Sequence, residues 1–141
     1  MKRILLAAGA ALVLASPAMA DFNSGMKAFK AGEFDVAREE WEQSAIAGDA
    51  QAQFQLGKML ANGIGVRKDY ITAYAWLFLA DAAGIQEAGK YHQVLEKKYL
   101  PRYCQYEAQA LIRDYRNGKA SRLVSDVNRN ASKCWGNSPP R

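Results

Sequence analysis

The chain has 141 residues, a formal net charge of +5, two cysteines and one histidine. This length fits a single domain, and so few cysteine and histidine residues, far apart, disfavour a metal site or a redox pair. The charge is uneven, since residues 21–50 carry seven acids and three bases while residues 96–141 carry ten bases and four acids. Two solvated surfaces explain this polarity; the alternative is a basic end that meets an acidic partner, lipid headgroups or wall polymer.

The first twenty residues have the features of a secretory leader. Lys2 and Arg3 precede an apolar run at residues 4–15, and Ala18-Met19-Ala20 fits a small-x-small cleavage site. The run is shorter than the roughly 20 residues of a membrane-spanning helix. We therefore expect residues 1–20 to be a signal peptide, the mature chain to have no transmembrane segment, and the location to be periplasmic or secreted.

Apolar residues after the leader recur at steps of three and four, as they do in amphipathic helices. The recurrence is clearest in residues 34–45, 52–59, 73–80 and 88–99, and glycines at 32, 48, 63, 65 and 84 separate these runs. Pro101 can open a further helix that ends at Asn117-Gly118. The pattern predicts five longer helices, a short one near residues 23–31 and an irregular tail.

The segment ANGIGVRKDY, residues 61–70, is glycine-rich and precedes a predicted helix. A phosphate-binding P-loop follows a strand and ends in Lys-Ser or Lys-Thr, whereas this segment follows a helix and ends in an acid and an aromatic residue. We interpret it as a turn between helices. Gly63 ends the first helix in a left-handed conformation, Gly65 lets the chain reverse, and Asp69 caps the next helix.

The sequence also repeats in part when it is shifted by 36 positions, which is typical of stacked helical repeats. The matches include Phe34 with Tyr70, Ala37 with Ala73, Gly48 with Gly84, Ala52 with Ala88 and Met59 with Leu95.

One stretch, AQAQFQLGKMLANGIGVRKDYITAYAWLFLADAAG at residues 50–84, resembles a repeat of the Sel-1-like family, a relative of tetratricopeptide repeats. The residues that carry the resemblance are Ala52, Leu56-Gly57, Gly63-Ile64-Gly65-Val66, Asp69-Tyr70, Ala73, Trp76 and Ala82-Ala83-Gly84. The segment before it resembles the second helix of a neighbouring repeat. The segment after it departs from the pattern, because His92-Gln93 replaces Leu56-Gly57 and no glycine turn follows.

The resemblance implies an all-α fold in which antiparallel helix pairs stack as a short right-handed α-solenoid. It also implies a role as a scaffold for protein–protein contact, since family members mostly act in this way, some of them in the bacterial envelope. We expect the helical repeat domain to span residues 21–117. Within it, Gly57 should mark a close approach of two helices, and Trp41 and Trp76 should fill the gaps between pairs.

Both cysteines lie beyond the leader. An even number of cysteines in an exported chain predicts one disulfide, here between Cys104 and Cys134. The chain-entropy model gives a loop of this size a stabilisation of about 3–4 kcal/mol. The bridge would dock the tail, residues 118–141, on the helices.

Candidate catalytic groups are few. His92 occupies the position that Leu56 fills one repeat earlier, so we expect it to pack rather than act as a base. Glu39, Glu40 and Glu42 form an acidic cluster that we interpret as a solvated helix face. β-Lactam hydrolysis has been attributed to cysteine-rich relatives, but those carry paired cysteines in each repeat and this chain does not. We therefore expect no enzyme activity, no cofactor and no metal.

A polar row beside a packed stripe is the better candidate for function. If Ala52, Leu56 and Met59 pack, the polar residues beside them form a row along the first helix of the repeat. The positions 36 residues later form a second row on the first helix of the next repeat. First helices line the concave face in the family, so the rows could form a groove wall. The predicted ligand-binding residues are Gln51, Gln55, Lys58, Asn62, Glu87, Tyr91 and Lys98.

These observations together predict an exported helical-repeat module that binds a protein or peptide and no nucleic acid. Two alternatives remain open. One is a small envelope hydrolase of β-lactamase type. The other is a basic structural protein that associates with anionic envelope surfaces through its C-terminal part.

Overall fold

A computed structural model of the chain describes residues 21–121 and residue 123. The predicted signal peptide lies outside the described residues, and so does most of the predicted tail, including Cys134. The proposed cleavage site and the Cys104–Cys134 bridge therefore stay predictions.

The described residues form six helices and no strand, which confirms the all-α prediction for this part of the chain. No helix among them is long and apolar enough to cross a bilayer. The helices are α1 (Phe22–Lys30), α2 (Phe34–Ile46), α3 (Ala50–Asn62), α4 (Tyr70–Ala82), α5 (Gln86–Lys98) and α6 (Arg102–Arg116).

The turn between α3 and α4 has the predicted chemistry. Gly63 ends α3 with φ of 69°, in the left-handed region, and its N–H donates to Met59 O. Gly65 has φ of 65°. Asp69 caps α4, because its Oδ1 accepts hydrogen bonds from the backbone N–H groups of Ile71 and Thr72. The glycines thus reverse the chain, and the acid satisfies donors that the start of a helix leaves unpaired.

Each of the first five helices packs against its neighbour along the chain in the opposite direction, whereas α6 packs on α4 rather than on α5. Between α4 and α5, His92 meets Asp81 near one end, and Tyr99 stacks on Tyr70 near the other with ring centroids 4.6 Å apart. Helix α6 also contacts α4, and the two run in the same direction. Gln109 donates to the Tyr74 hydroxyl at 3.4 Å, and Arg116 lies further along, over the Phe78 ring.

The helix bounds repeat with the shift found in the sequence. Helices α2 and α4 have the same length and start 36 residues apart, and so do α3 and α5. Burial repeats as well, since Ala37, Ala73, Ala52 and Ala88 are all fully buried. The described part of the chain is thus helical-repeat-like in both its elements and its core.

Where two helices meet, a glycine on one helix faces a large side chain on the other. Trp41 and Trp76 are 1% and 0% exposed, so both lie in the core. Trp41 packs on Phe22 and Phe29 of α1, within its own helix pair and not between pairs as expected, whereas Trp76 meets Tyr115 of α6. Gly25 lies against the Trp41 ring, and Gly57 lies against Leu77, so closely that a Cβ at either glycine would clash. These approaches explain why glycine stands inside a helix, where it costs about 1 kcal/mol relative to alanine.

A partly buried polar contact joins three helices at the far end of α6. The Tyr115 hydroxyl of α6 donates to Ala45 O of α2 at 3.2 Å and accepts from the Gln53 amide of α3 at 3.1 Å. The same amide also donates to Ala45 O. Because α6 also packs on α4, this last helix ties together helices that are far apart in sequence.

Candidate functional site

The structure brings two of the predicted binding residues together. Lys58 of α3 and Tyr91 of α5 meet across Phe54, whose ring lies edge-on to Tyr91 with centroids 5.9 Å apart. The Lys58 ammonium lies 5.0 Å from the centroid of the Phe54 ring and 5.8 Å from that of Tyr91. A cation over two aromatic rings is held in place by their quadrupoles. The two predicted rows thus join at this cluster.

The other predicted residues extend from the cluster without joining it. Gln55 is half-buried on α3, one turn before Lys58, while Gln51 and Asn62 are exposed toward the two ends of that helix. The Asn62 amide donates to Lys58 O within the same helix. Glu87 and Lys98 are exposed near the two ends of α5. All of them lie off the packed stripe, as predicted, and they flank the cluster rather than complete it.

Phe54 is the part of this site that sequence reasoning missed. It is only 4% exposed, yet its ring supports both Lys58 and Tyr91. A signal was present, because Phe54 stands four residues before Lys58 and such pairs face each other on a helix. The shift of 36 positions pairs Tyr91 with Gln55, the residue after Phe54, and therefore predicted Gln55 rather than Phe54 as a site residue.

His92 is buried in the core, and only 7% of the residue is exposed. Its Nε2 lies 3.0 Å from Asp81 Oδ2, and its ring packs against Tyr74 and Phe78. Its Nδ1 is buried and has no hydrogen-bond partner among the described residues. The geometry is that of a histidine packed among aromatic side chains and held by a carboxylate.

The acidic cluster on α2 requires a correction. We expected Glu39, Glu40 and Glu42 to share a solvated face, but Glu42 is only 8% exposed. Its Oε1 accepts a 2.6 Å hydrogen bond from Arg38 Nη1. Burial raises the pKa of Glu42, and the bond from Arg38 only partly opposes this rise. Glu42 directly follows the core residue Trp41, and the spacing of apolar residues in α2 does not show that this side of the helix also faces its neighbours.

Asp69 is a second buried carboxylate, and capping accounts for it. Burial raises the pKa of Asp69, while hydrogen bonds from Thr72 and Ile71 oppose the rise. Besides the two backbone donors, the Thr72 hydroxyl donates to Oδ2 at 2.7 Å. Its oxygens are therefore occupied in holding the start of α4, and the segment that carries it is a helix cap rather than a phosphate loop.

A small polar cleft lies between α4, α5 and α6. Its volume is about 150 Å³, and it is lined by Tyr74, Glu96, Arg102, Gln105, Tyr106 and Gln109. Sites for small organic ligands and cofactors are usually about 300–1,000 Å³. The cleft has room for a few water molecules or for one side chain of a partner.

Metal-ligating residues do not gather within the described part of the chain, where no group of three or more His, Cys, Asp or Glu side chains could hold an ion. Compared with protein-family models, curated proteins and solved structures, the chain has no match. The geometry of the surface around Lys58 and Tyr91 therefore carries the functional argument.

Proposed function

We propose that the protein is an exported binding module of Sel-1-like type that recognises an extended segment of a partner protein. In this proposal the pairs α1–α2 and α3–α4 and the following helix α5 stack as a short right-handed solenoid, and α6 packs on α4 at its end. The repetition of helix bounds at 36 residues supports the stacking. The leader-like features of residues 1–20 support export.

The observation that carries the binding proposal is the position of Lys58 over Phe54 and Tyr91. These residues come from α3 and α5, the first helices of two successive pairs. A surface that spans two repeats can follow an extended ligand, whereas a patch on a single helix holds only one or two of its residues. The cluster offers a charge and an aromatic face that its neighbours already hold in place, so little side-chain entropy is lost on binding.

The chemistry of the cluster indicates the kind of segment that fits. The Lys58 ammonium suits a carboxylate or a backbone carbonyl of the ligand. Gln55, one turn away, can donate to and accept from an extended backbone. Tyr91 is half-buried, so it presents a fixed ring edge and a hydroxyl, and tyrosine is a frequent interface anchor. We infer an extended peptide with an acidic residue opposite Lys58.

Site-specific photo-crosslinking tests the location. A benzophenone amino acid at position 55 should capture the partner during export in the native host. The matched control carries the same group at position 39 on α2, where the Glu39 side chain is 72% exposed. Mass spectrometry of the adduct identifies the segment of the partner that lies next to position 55. Equal capture of this partner from both positions would argue against a site on α3 and α5.

Titration of that segment, made as a peptide, tests the residues. Tyr91→Ala should weaken binding by roughly 1–2 kcal/mol or more, as truncated interface anchors do. Lys58→Gln should weaken it too, and by more at low salt than at high salt. Tyr106→Ala, at a tyrosine that is 74% exposed on α6, is the control and should leave affinity unchanged. A ligand that loses affinity with Tyr106→Ala and keeps it with Tyr91→Ala would refute the proposed site.

A further inference from the structure

Three of the turns between helices lie along one edge of the molecule. They are the α1–α2, α3–α4 and α5–α6 turns, at residues 31–33, 63–69 and 99–101. Gly65, in the second turn, packs directly on the Phe34 side chain, which starts α2. Tyr70, at the end of the second turn, stacks on Tyr99 in the third. These two contacts place the three turns side by side in a row along this edge.

Exposed cations follow this row. The basic pair Arg67-Lys68 of the glycine-rich segment lies in the middle turn, and the others lie at the ends of helices that meet the row. The six exposed cations are Lys30, Arg67, Lys68, Lys97, Lys98 and Arg102. None of them forms an ion pair within the described residues. The nearby acids are the exposed Glu33 and Asp35 and the half-buried Glu96, which lines a cleft together with Arg102, while Asp69 is buried in its cap. Six cations against three accessible acids leave the row positive.

Exposed tyrosines stand at one end of the row, around the start of α6. Tyr99, Tyr103 and Tyr106 are 38%, 51% and 74% exposed. Tyrosine and lysine together are typical of surfaces that rest at the boundary between a bilayer and water. The tyrosine ring enters the headgroup region while its hydroxyl stays hydrated, and the lysine stem lies along the apolar boundary while its ammonium faces the phosphates.

We propose that this basic edge, the row of three turns with its six cations and three tyrosines, docks the protein on an anionic phospholipid bilayer. The three turns present their cations side by side on one edge, and the charge of this edge complements phosphate headgroups. The turns that link α2 to α3 and α4 to α5 contain no basic residue. The docking surface is thus one edge of the helix array rather than the C-terminal part as a whole, and it does not depend on the peptide site at Lys58.

Vesicle co-sedimentation of the protein, as its host processes and releases it, tests this proposal. We expect binding to phosphatidylglycerol–phosphatidylethanolamine vesicles and none to phosphatidylcholine vesicles. Each lysine or arginine near an anionic surface contributes about fivefold to partitioning, so Lys97→Gln with Lys98→Gln should lower it roughly 20- to 30-fold. Arg67→Gln with Lys68→Gln should have a similar effect. Any contribution from unaltered residues cancels in these comparisons.

The matched control removes two charges from the far end of α6, by Arg113→Gln with Lys119→Gln. Both residues are exposed, and α6 separates them from the basic edge by about 15–20 Å. At physiological salt the Debye length is about 8 Å, so the control should lower partitioning less than about threefold. If all three double substitutions lower partitioning equally, net charge alone governs binding and the basic edge is not the docking surface. Binding to soluble polyglutamate or polyphosphate but not to anionic vesicles would overturn the bilayer as the partner.

Discussion

Gly57 of α3 lies against Leu77 of α4 so closely that a Cβ at residue 57 would be 2.6 Å from Leu77 Cγ. Leu77 is fully buried, and the carbonyl of Ala73, one turn earlier on α4, would lie 3.3 Å from the same Cβ. Neither neighbour can move far, because the core around them is close-packed. The glycine therefore sets the distance between the two helices of the central pair.

Gly57→Ala should lower the free energy of unfolding, although alanine is the better helix former. The gain in helix propensity is about 1 kcal/mol, whereas overpacking a filled core costs about 1–3 kcal/mol. We expect a net loss of up to about 2 kcal/mol in urea unfolding. In a Leu77→Ala background the nearest obstacle is gone and only the Ala73 carbonyl remains close, so the same change should cost less than in the wild type or stabilise the protein. A stabilising effect in the wild-type background would contradict the close approach.

Glu42 should make stability fall as pH rises. Its pKa is raised in the folded state, so the native protein holds a proton that the unfolded chain has lost. This contribution to stability is present below the ordinary glutamate pKa of 4.5 and is lost as pH rises through the higher folded value. Glu42→Gln removes the titration and keeps the shape. The wild type should therefore lose stability relative to this variant as pH rises from about 4 to 6.

Urea unfolding of both proteins across this pH range provides the measurement. The comparison with the variant is needed because Asp69, whose pKa is also raised by burial, contributes in the same direction to both proteins. If the free energy of unfolding of the wild type instead rises relative to that of the variant as pH rises, the ion pair with Arg38 affects the pKa of Glu42 more than burial does.

Much of the fold could be predicted from local sequence. Helix ends follow from residues that act on the backbone beside them, as Gly63 and Asp69 do, so the predicted turn and cap are confirmed. Periodicity identified the core positions for the same reason, since each helix has its own apolar stripe. The shift of 36 then predicted that α4 and α5 would repeat α2 and α3, and their bounds do.

Contacts between distant helices could not be predicted in this way. The Tyr115 hydroxyl meets Ala45 O, seventy positions earlier, and nothing near either residue marks the pairing. Asp81 was likewise not recognised as the partner of His92. The candidate site was partly predicted for this reason: Lys58 and Tyr91 followed from helix faces, but whether they touch depends on how α3 and α5 are placed. That placement is set by packing throughout the core.

His92→Leu should preserve the free energy of unfolding or raise it. Leucine fills the same position one repeat earlier, at Leu56, and it removes a buried Nδ1 that has no partner in the described part of the chain. The hydrogen bond to Asp81 is lost, but that side chain is 40% exposed and water can replace the contact. His92→Ala is the control and should cost at least about 2 kcal/mol, since it leaves a cavity against Tyr74 and Phe78.

A large loss with His92→Leu, similar to that of His92→Ala, would show that the contact with Asp81 is needed for folding. Loss of an enzyme activity by His92→Leu, with the melting temperature unchanged, would instead contradict the expectation that this residue only packs. Thermal unfolding of the three proteins separates these outcomes.

The predicted disulfide can be tested by thiol labelling under denaturing, non-reducing conditions. Denaturation is essential, because Cys104 is fully buried and would be protected in the native protein with or without a bridge. We expect no reactive thiol before reduction and two after it. Replacing both cysteines, as Cys104→Ala with Cys134→Ala, should lower stability by about 3–4 kcal/mol. Two reactive thiols in the unreduced protein would exclude the bridge.

Tyr115→Phe should lower the free energy of unfolding by about 1 kcal/mol, the usual net value of a hydrogen bond in a protein. The variant keeps the ring, which packs edge-on against Trp76 with centroids 5.7 Å apart. It loses only the hydroxyl that donates to Ala45 O and accepts from Gln53. Gln53 still donates to Ala45 O, so the buried carbonyl keeps a partner and the loss stays moderate.

Tyr106→Phe is the matched control, because that residue is 74% exposed on the same helix and its hydroxyl can bond to water in either state. It should change stability by less than about 0.5 kcal/mol. Urea unfolding of the two variants, compared with that of the wild type, measures the difference. An equal effect of both changes would mean that the contact of Tyr115 with α2 and α3 adds nothing to the docking of α6. A loss of stability with Tyr115→Phe but not with Tyr106→Phe would show that the Tyr115 hydroxyl helps to hold α6 against α2 and α3.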